Sequence, residues 1–212
     1  MANLQITKSG LHTNPADSEL RARREIFERE QWLRLPDFFD RALLKLITRK
    51  LAETEFCIVD RETGIELRPI DCTAYLAAEL LLNNPKLLRA IDQMTGVDGI
   101  VCFSGRIYRR MPGRDHFNRW HTDVTEGRAI ALSVNLSEQP YEGGELQIRS
   151  TETHEILCTV ENLGHGDAII FPVCESLQHR VTDVTGATVK TALAGWFRTE
   201  FDPNSLFGRG RQ

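Results

Sequence analysis

The spacing of apolar residues changes near residue 99, and this change restricts the folds open to the chain more than any other feature of the sequence. Before it, apolar residues recur at intervals of three and four, as in 43–51, which is the period of an amphipathic helix. After it the interval is two. The segment 130–136 alternates large apolar residues with small or polar ones, which is typical of a strand with two different faces.

Capping and turn residues divide the first hundred residues into four helices and one hairpin. We predict helices over 16–31, after a cap at Asp37, from about Thr73, and from an N-cap at Asn84 to a stop at Gly96. Thr63-Gly64 predicts a turn between short strands at 56–59 and 65–67.

The second half reads as a series of strands separated by glycine-containing turns, with strands at 130–136, 145–149, 155–160, 168–171 and 188–198. Helices followed by many short strands predict an α+β fold: a double-stranded β-helix, or jelly roll, with the helices packed on its outside. We therefore expect a helical support region over 1–98, a jelly-roll core over 99–201 and a C-terminal tail over 202–212.

Composition argues against several classes of protein. A net charge of −4 gives no support to binding of nucleic acid or of an anionic membrane surface. No apolar run approaches the roughly 20 residues that span a bilayer. The five cysteines are odd in number and lack CxxC spacing, and the first residues lack a signal core, so we expect a cytoplasmic protein with free thiols.

A His-x-Asp pair, His121-Thr122-Asp123, is followed at a distance by His179. Residues i and i+2 of an extended segment project to the same side, so two metal ligands can come from one stretch and the third from a distant strand. Two histidines and one carboxylate on one octahedral face hold ferrous iron in oxygenases and leave the opposite face open.

A second His-x-Asp pair, His165-Gly166-Asp167, has the same form but a different setting. It lies in a glycine-flanked turn, and eleven residues separate it from His179. That distance is too short for the intervening strands of a barrel. We therefore assign this second pair to turn formation.

Four features follow the first pair in order: Gly143-Gly144-Glu145-Leu146, the strand Gly166–Phe171, a His-x-Val-x-x-Val segment from His179 with Gly186 after it, and Lys190 six residues before Trp196. With these features, the stretch from Tyr108 to Arg198 resembles the catalytic core of the prolyl 4-hydroxylase-like 2-oxoglutarate/Fe(II) oxygenases.

The resemblance implies that His121, Asp123 and His179 bind Fe(II), that 2-oxoglutarate and O2 are co-substrates, and that ascorbate serves as a reductant. It also implies that Lys190 pairs with the distal carboxylate of 2-oxoglutarate, with Arg198 as the fallback. Many relatives place this basic residue nine or ten positions after the histidine, whereas here the interval is eleven.

Tyr108 and Asn135 are weaker candidates for contact with the co-substrate. Tyr108 lies where relatives often have a tyrosine that reaches 2-oxoglutarate, but it fits a buried core tyrosine equally well. Asn135 lies where some relatives have a hydroxyl group, which an amide could replace as a donor; a strand-edge asparagine is the alternative.

The activity expected is that of a dioxygenase that hydroxylates an unactivated C–H of a small molecule, amino acid or short peptide and releases succinate and CO2. A metal-dependent hydrolase or a non-catalytic jelly-roll binding module are the alternatives. The hydrolase needs a general base, and no HExxH motif is present. Five arginines before the site fit a solvated face or an anionic substrate: Arg106, Arg109, Arg110, Arg114 and Arg119.

Overall fold

A computed structural model describes residues 4–12, 15–113, 116 and 118–201. The predicted tail over 202–212, as well as Arg114, lies outside the described residues. The helices are α1 (Asp17–Glu30), α2 (Arg41–Ala52), α3 (Thr73–Leu82) and α4 (Pro85–Thr95). No helix of the described part has both the length and the apolar character needed to cross a membrane.

The strands before residue 111 are β1 (Ile6–Thr7), β2 (Gly10–Leu11), β3 (Leu33–Leu35), β4 (Phe56–Arg61), β5 (Gly64–Pro69) and β6 (Cys102–Arg110). Those after it are β7 (Arg128–Asn135), β8 (Glu142–Gly143), β9 (Leu146–Ser150), β10 (Ile156–Val160), β11 (Ala168–Pro172), β12 (Leu177–Val181), β13 (Val184–Thr185) and β14 (Lys190–Arg198).

A seven-stranded antiparallel sheet forms the centre of the molecule, in the order β3-β11-β7-β14-β6-β5-β4. A smaller sheet, β10-β9-β12, and the short pair β13-β8 complete the jelly roll. The predicted fold class is therefore confirmed. The hairpin predicted around Thr63-Gly64 is present as β4 and β5, and it extends the large sheet beyond β6.

The two faces of the large sheet have different partners, as the period of two predicts. On β7, Ile130, Leu132 and Val134 pack into the main core together with residues of all four helices, whereas Ala131 packs into a second cluster with residues of the small sheet. The same alternation on β14 sends Leu193 to the main core. The interior face of the barrel is thus formed by residues such as Ala131.

The predicted cap of the second helix was wrong by three residues. Asp40, not Asp37, is the N-cap of α2, and its carboxylate accepts a hydrogen bond from the backbone N–H of Leu43 at 2.7 Å. Asp37 instead has a positive φ of 51° and donates its backbone N–H to Asp167 at 2.9 Å. Asp37 lies in a turn, and Phe39, which forms a bridge with Ile6, comes between it and the helix, so the side chain of Asp37 lies too early to cap. The predicted ends of α4 at Asn84 and Gly96 are confirmed.

Candidate metal centre

A backbone bridge fixes the two histidines against each other. His121 and His179 exchange two hydrogen bonds, N–H to O=C, at 3.2 and 3.0 Å. His179 lies on β12, whose register pairs it with Ile148 of the small sheet. The segment after β6 is thereby held at the mouth of the barrel, with its side chains directed toward His179.

The side chains of His121, Asp123 and His179 form the one group of three or more candidate metal ligands among the described residues, with their ligand atoms within 4.8 Å of one another. The Nε2 atom of His179 is 3.3 Å from Oδ2 of Asp123, and Nε2 of His121 is 3.7 Å from Oδ1. Two imidazole nitrogens and one carboxylate, converging at the wall of a cavity, match the donor set that ferrous iron takes in oxygenases.

Neighbouring groups orient these side chains. Nδ1–H of His121 donates to the carbonyl of Arg119 at 2.7 Å, because a carbonyl can only accept, and this leaves the lone pair on Nε2 free for a metal. The indole N–H of Trp196 donates to Oδ2 of Asp123 at 2.8 Å. The guanidinium of Arg128 lies 3.5 Å above the indole ring and 3.8 Å from Oδ1 of Asp123.

The pKa values at this group agree with its geometry. Burial alone would raise the pKa of Asp123, but the hydrogen bond and charge of His179, the charge of His121 and the hydrogen bond of Trp196 lower it well below its usual range. Burial and the neighbouring His179 lower the pKa of His121. The carboxylate is therefore ionised and the His121 imidazole is neutral at physiological pH, which are the forms that bind a metal.

The second His-x-Asp pair has a structural role. The carboxylate of Asp167 forms an ion pair with Arg34 of β3 at 2.6 Å and accepts the backbone N–H of Asp37 at 2.9 Å. These contacts tie the turn before β11 to the edge of the large sheet. They agree with the assignment of this pair to turn formation.

Two cavities meet at the metal-ligand candidates. The inner cavity lies inside the barrel and is lined by all three of them and by Tyr108, Arg110 and Trp196, among others. The outer cavity, of about 920 Å³, lies between the β4–β5 hairpin and β6 and also reaches His121 and Asp123. A molecule in the outer cavity would therefore approach a metal bound between these residues from outside the barrel.

Lys190 lies in a third space, the rear cavity, which it lines with Asn135, Tyr141 and Ala192. Its side chain is buried, its ammonium donates to the carbonyl of Gly144, and its Nζ is 5.3 Å from the centre of the Tyr141 ring. Burial, and then the charge of Arg110, lower the pKa of Lys190 to about 7. The rear cavity adjoins the inner one, since Ser133 and Leu146 line both.

The other two predicted co-substrate residues differ in their surroundings. Tyr108 is 3 % exposed and lines the inner cavity with the metal-ligand candidates, and burial raises the pKa of its hydroxyl. The amide of Asn135 donates to the carbonyl of Leu163 and accepts the backbone N–H of Ser137 at 3.0 Å. Arg198, the fallback for Lys190, donates to the carbonyl of Glu126 at 3.0 Å at the far end of β14.

The sequence did not predict the group of charged residues at the outer cavity. The buried carboxylate of Glu66 on β5 binds Arg106 at 2.6 Å and Arg68 at 2.7 Å. Although burial opposes it, the pKa of Glu66 is lowered by these two arginines. Glu66 and Arg106 are 40 positions apart, so no local pattern could have indicated their contact. The one signal in the sequence was the arginine-rich stretch before the site.

The sequence and the structure of the chain were compared with those of known proteins. Residues 106–198 match the model of the 2OG-Fe(II) oxygenase superfamily. A search of curated proteins finds no significant match.

Among solved structures, the chain is similar to a prolyl-4-hydroxylase of Pseudomonas putida, with 23 % identity over 86 % of this chain and 100 % of the other and a TM-score of 0.63. A prolyl hydroxylase of Trichoplax adhaerens, in complex with a hypoxia inducible factor peptide fragment, has 12 % identity over 92 % and 94 % of the two chains and a TM-score of 0.59. The α-ketoglutarate-dependent epimerase SnoN of nogalamycin biosynthesis has 14 % identity over 93 % of each chain and a TM-score of 0.62.

These structural likenesses concern the fold, whereas the match over 106–198 concerns the sequence of the segment that carries all three metal-ligand candidates. Residues 106–198 therefore match the 2OG-Fe(II) oxygenase superfamily, an oxidoreductase class that uses Fe(II), 2-oxoglutarate and O2.

Proposed function

We propose that His121, Asp123 and His179 hold Fe(II) and that the enzyme hydroxylates an unactivated C–H bond of a small molecule, amino acid or short peptide. The observation that carries this proposal is the convergence of the three ligand atoms within 4.8 Å at the junction of two cavities. Iron bound there, together with 2-oxoglutarate and O2, supplies the oxidising chemistry, with succinate and CO2 as the products of the co-substrate. Ascorbate would serve as a reductant.

The protein groups around the metal position its ligands and limit the access of water. Trp196 and the carbonyl of Arg119 hold Asp123 and His121 in the orientations that binding requires. Lys190 and Tyr108 would receive the co-substrate inside the barrel, and Asn135 would support it from the rear cavity. In this proposal residues 99–201 form the oxygenase core, and residues 1–98 support it and supply the hairpin that walls the outer cavity.

The outer cavity favours a substrate that carries an anionic group. Among the described residues, its lining includes five arginines and two carboxylates, those of Glu66 and Asp123, and the second belongs to the proposed metal site. Its volume of about 920 Å³ would admit a small molecule or a short peptide. The fold accommodates both kinds of partner: one neighbour is described with a peptide fragment and another as an epimerase of a biosynthetic pathway.

The alternatives have less support. A hydrolase with the same ligands needs a general base near the metal, but the nearby carboxylate of Glu66 is bound by two arginines and its pKa is lowered. A binding module has no need of three oriented metal ligands.

All five cysteines are free thiols. Free thiols are typical of a reducing compartment, which supports the proposed cytoplasmic location.

The test is succinate formation from 2-oxoglutarate by anaerobically purified protein supplied with Fe(II), ascorbate and air. We expect slow turnover without the prime substrate, its loss in His179→Ala, and its retention in His165→Ala, which alters the second His-x-Asp pair. The same samples are titrated anaerobically with 2-oxoglutarate to detect the visible iron-to-ligand charge-transfer band. If iron-loaded wild-type protein shows neither turnover nor this band, the proposal is wrong.

A further inference from the structure

Arg110, the last residue of β6, is a buried cation that forms no ion pair with any residue the structure describes. Its residue is 3 % exposed, and its Nε and Nη1 atoms are fully buried with no hydrogen-bond partner within the described part of the chain. The carboxylates of Glu66 and Asp183 act on it through their charge and form no hydrogen bond or ion pair with it. A guanidinium stays protonated even when buried, so it cannot avoid the cost of desolvation by losing its charge.

Other arginines near the site do not share this condition. Arg106 and Arg68 both bind the carboxylate of Glu66. Arg109 stands beside Arg110 in the sequence but on the opposite face of β6, where its guanidinium lies 3.8 Å from the centre of the Phe56 ring and its Nε donates to Thr191 at 3.3 Å. Arg109 thus has both a close ring and a hydrogen-bond acceptor, whereas Arg110 has the ring of Tyr108, 5.6 Å from its Cζ, and no acceptor for Nε or Nη1 in the described part of the chain.

The position of Arg110 points to the ligand that would neutralise it. Arg110 pairs in register with Lys190 across β6 and β14, so the two cations lie side by side on the interior face. Arg110 lines the inner cavity with His121, Asp123 and His179, whereas Lys190 lines the rear cavity and already donates to Gly144. A buried cation that shares the inner cavity with the metal-ligand candidates suits a ligand that chelates metal at one end and carries a carboxylate at the other.

We propose that Arg110 binds the distal carboxylate of 2-oxoglutarate as its fixed cation, with Lys190 beside it. This inference rests on the proposed function and extends it, because the family resemblance assigns this carboxylate to Lys190 alone. A planar guanidinium presents its N–H groups in pairs whose fork matches a carboxylate. The Nε and Nη1 atoms of Arg110, which belong to two different pairs, have no acceptor within the described part of the chain. Ala194 of β14 lines the inner cavity and Ala192 lines the adjoining rear cavity, and their small side chains leave room for the chain of the co-substrate.

The test compares two 2-oxo acids that differ only at the distal end. Anaerobic Fe(II)-loaded wild type, Arg110→Met and Arg109→Met are titrated with 2-oxoglutarate and with 2-oxopentanoate, in which a methyl group replaces the distal carboxylate, and the charge-transfer band gives the dissociation constants. For Arg110→Met we expect 2-oxoglutarate to bind about 10- to 100-fold more weakly and 2-oxopentanoate to bind as in wild type. Arg109→Met should leave both constants unchanged.

The outcomes separate this inference from the proposed function. A wild-type band with unchanged 2-oxoglutarate affinity in Arg110→Met, or equal weakening of both 2-oxo acids, would overturn the role of Arg110 alone. Iron-loaded wild type without any band would overturn the proposed function and this inference with it. If Arg110→Met does not fold, Arg110→Lys, which keeps the charge but loses the fork, should show a smaller loss of affinity that is again specific to 2-oxoglutarate.

Discussion

Replacing Lys190 with methionine should remove a pH dependence from the stability of the protein. In the folded protein, burial and the charge of Arg110 lower the pKa of Lys190 from 10.5 to about 7. The unfolded chain therefore binds one more proton than the folded protein between these values, and the free energy of unfolding should rise with pH across this window. Below pH 7 the free-energy cost of burying the charged lysine is fully present, and above pH 10.5 this cost is absent.

The size of the effect follows from the shift. Each pH unit within the window is worth about 1.4 kcal/mol for one group, and the response flattens toward its ends. From pH 7.5 to 9.5 the free energy of unfolding of the wild type should therefore rise by about 2–3 kcal/mol more than that of Lys190→Met. Other titrating groups are common to both proteins and cancel in the difference.

The assay is urea unfolding of metal-free protein at the two pH values, without 2-oxoglutarate, so that no ligand alters the charge of Lys190. Lys86→Met, at an exposed lysine of α4, controls for the loss of a lysine as such. If the difference in stability between wild type and Lys190→Met were the same at both pH values, the lysine would not be desolvated in the way its burial implies. The stated reason for its lowered pKa would then be refuted.

Two further predictions concern the metal site and the large sheet. Trp196→Phe removes the indole donor to Asp123 and should weaken iron binding about 10- to 100-fold. Iron affinity is measured by competition with a chromophoric chelator, with Trp120→Phe as the matched control. Equal iron affinities in the two variants would contradict the role of the Trp196 indole. Gly105→Ala would place a Cβ 2.3 Å from the carbonyl oxygen of Ala194 and should cost about 1–3 kcal/mol of unfolding free energy in urea; a variant as stable as wild type would show that the two strands can separate.

The sequence was informative wherever the signal was local and periodic. The alternation in 130–136 predicted both faces of β7, and the caps at Asn84 and Gly96 predicted α4, because each depends on residues a few positions apart. The failure at Asp37 has the same origin. Either Asp37 or Asp40 could cap a helix by residue type. The hydrogen bond from the backbone N–H of Asp37 to Asp167 holds Asp37 outside the helix and leaves Asp40 as the cap. Asp167 lies 130 residues away, beyond the reach of any local rule.

The candidate site was also predictable only in part: its metal-ligand candidates could be chosen from the sequence, but the partners of its other residues could not. A metal ligand is defined by its own donor atom, so His121, Asp123 and His179 could be chosen by residue type and spacing, and the structure brings them together. Lys190 and Asn135 donate hydrogen bonds to the backbone carbonyls of Gly144 and Leu163. Every residue has a backbone carbonyl, so the sequence does not indicate which one will be the acceptor.

A buried charged side chain without a hydrogen-bond acceptor is harder still to predict, because the lack of an acceptor depends on the residues that surround the side chain in the folded protein. The period of two places Arg109 and Arg110 on opposite faces of β6, but both faces could have supplied a carboxylate or an aromatic ring. In the folded protein Arg109 lies against the ring of Phe56, whereas two buried nitrogens of Arg110 have no acceptor among the described residues. Since burial of such a charge is costly, the missing acceptor is a stronger indication of a bound anion than the arginine itself.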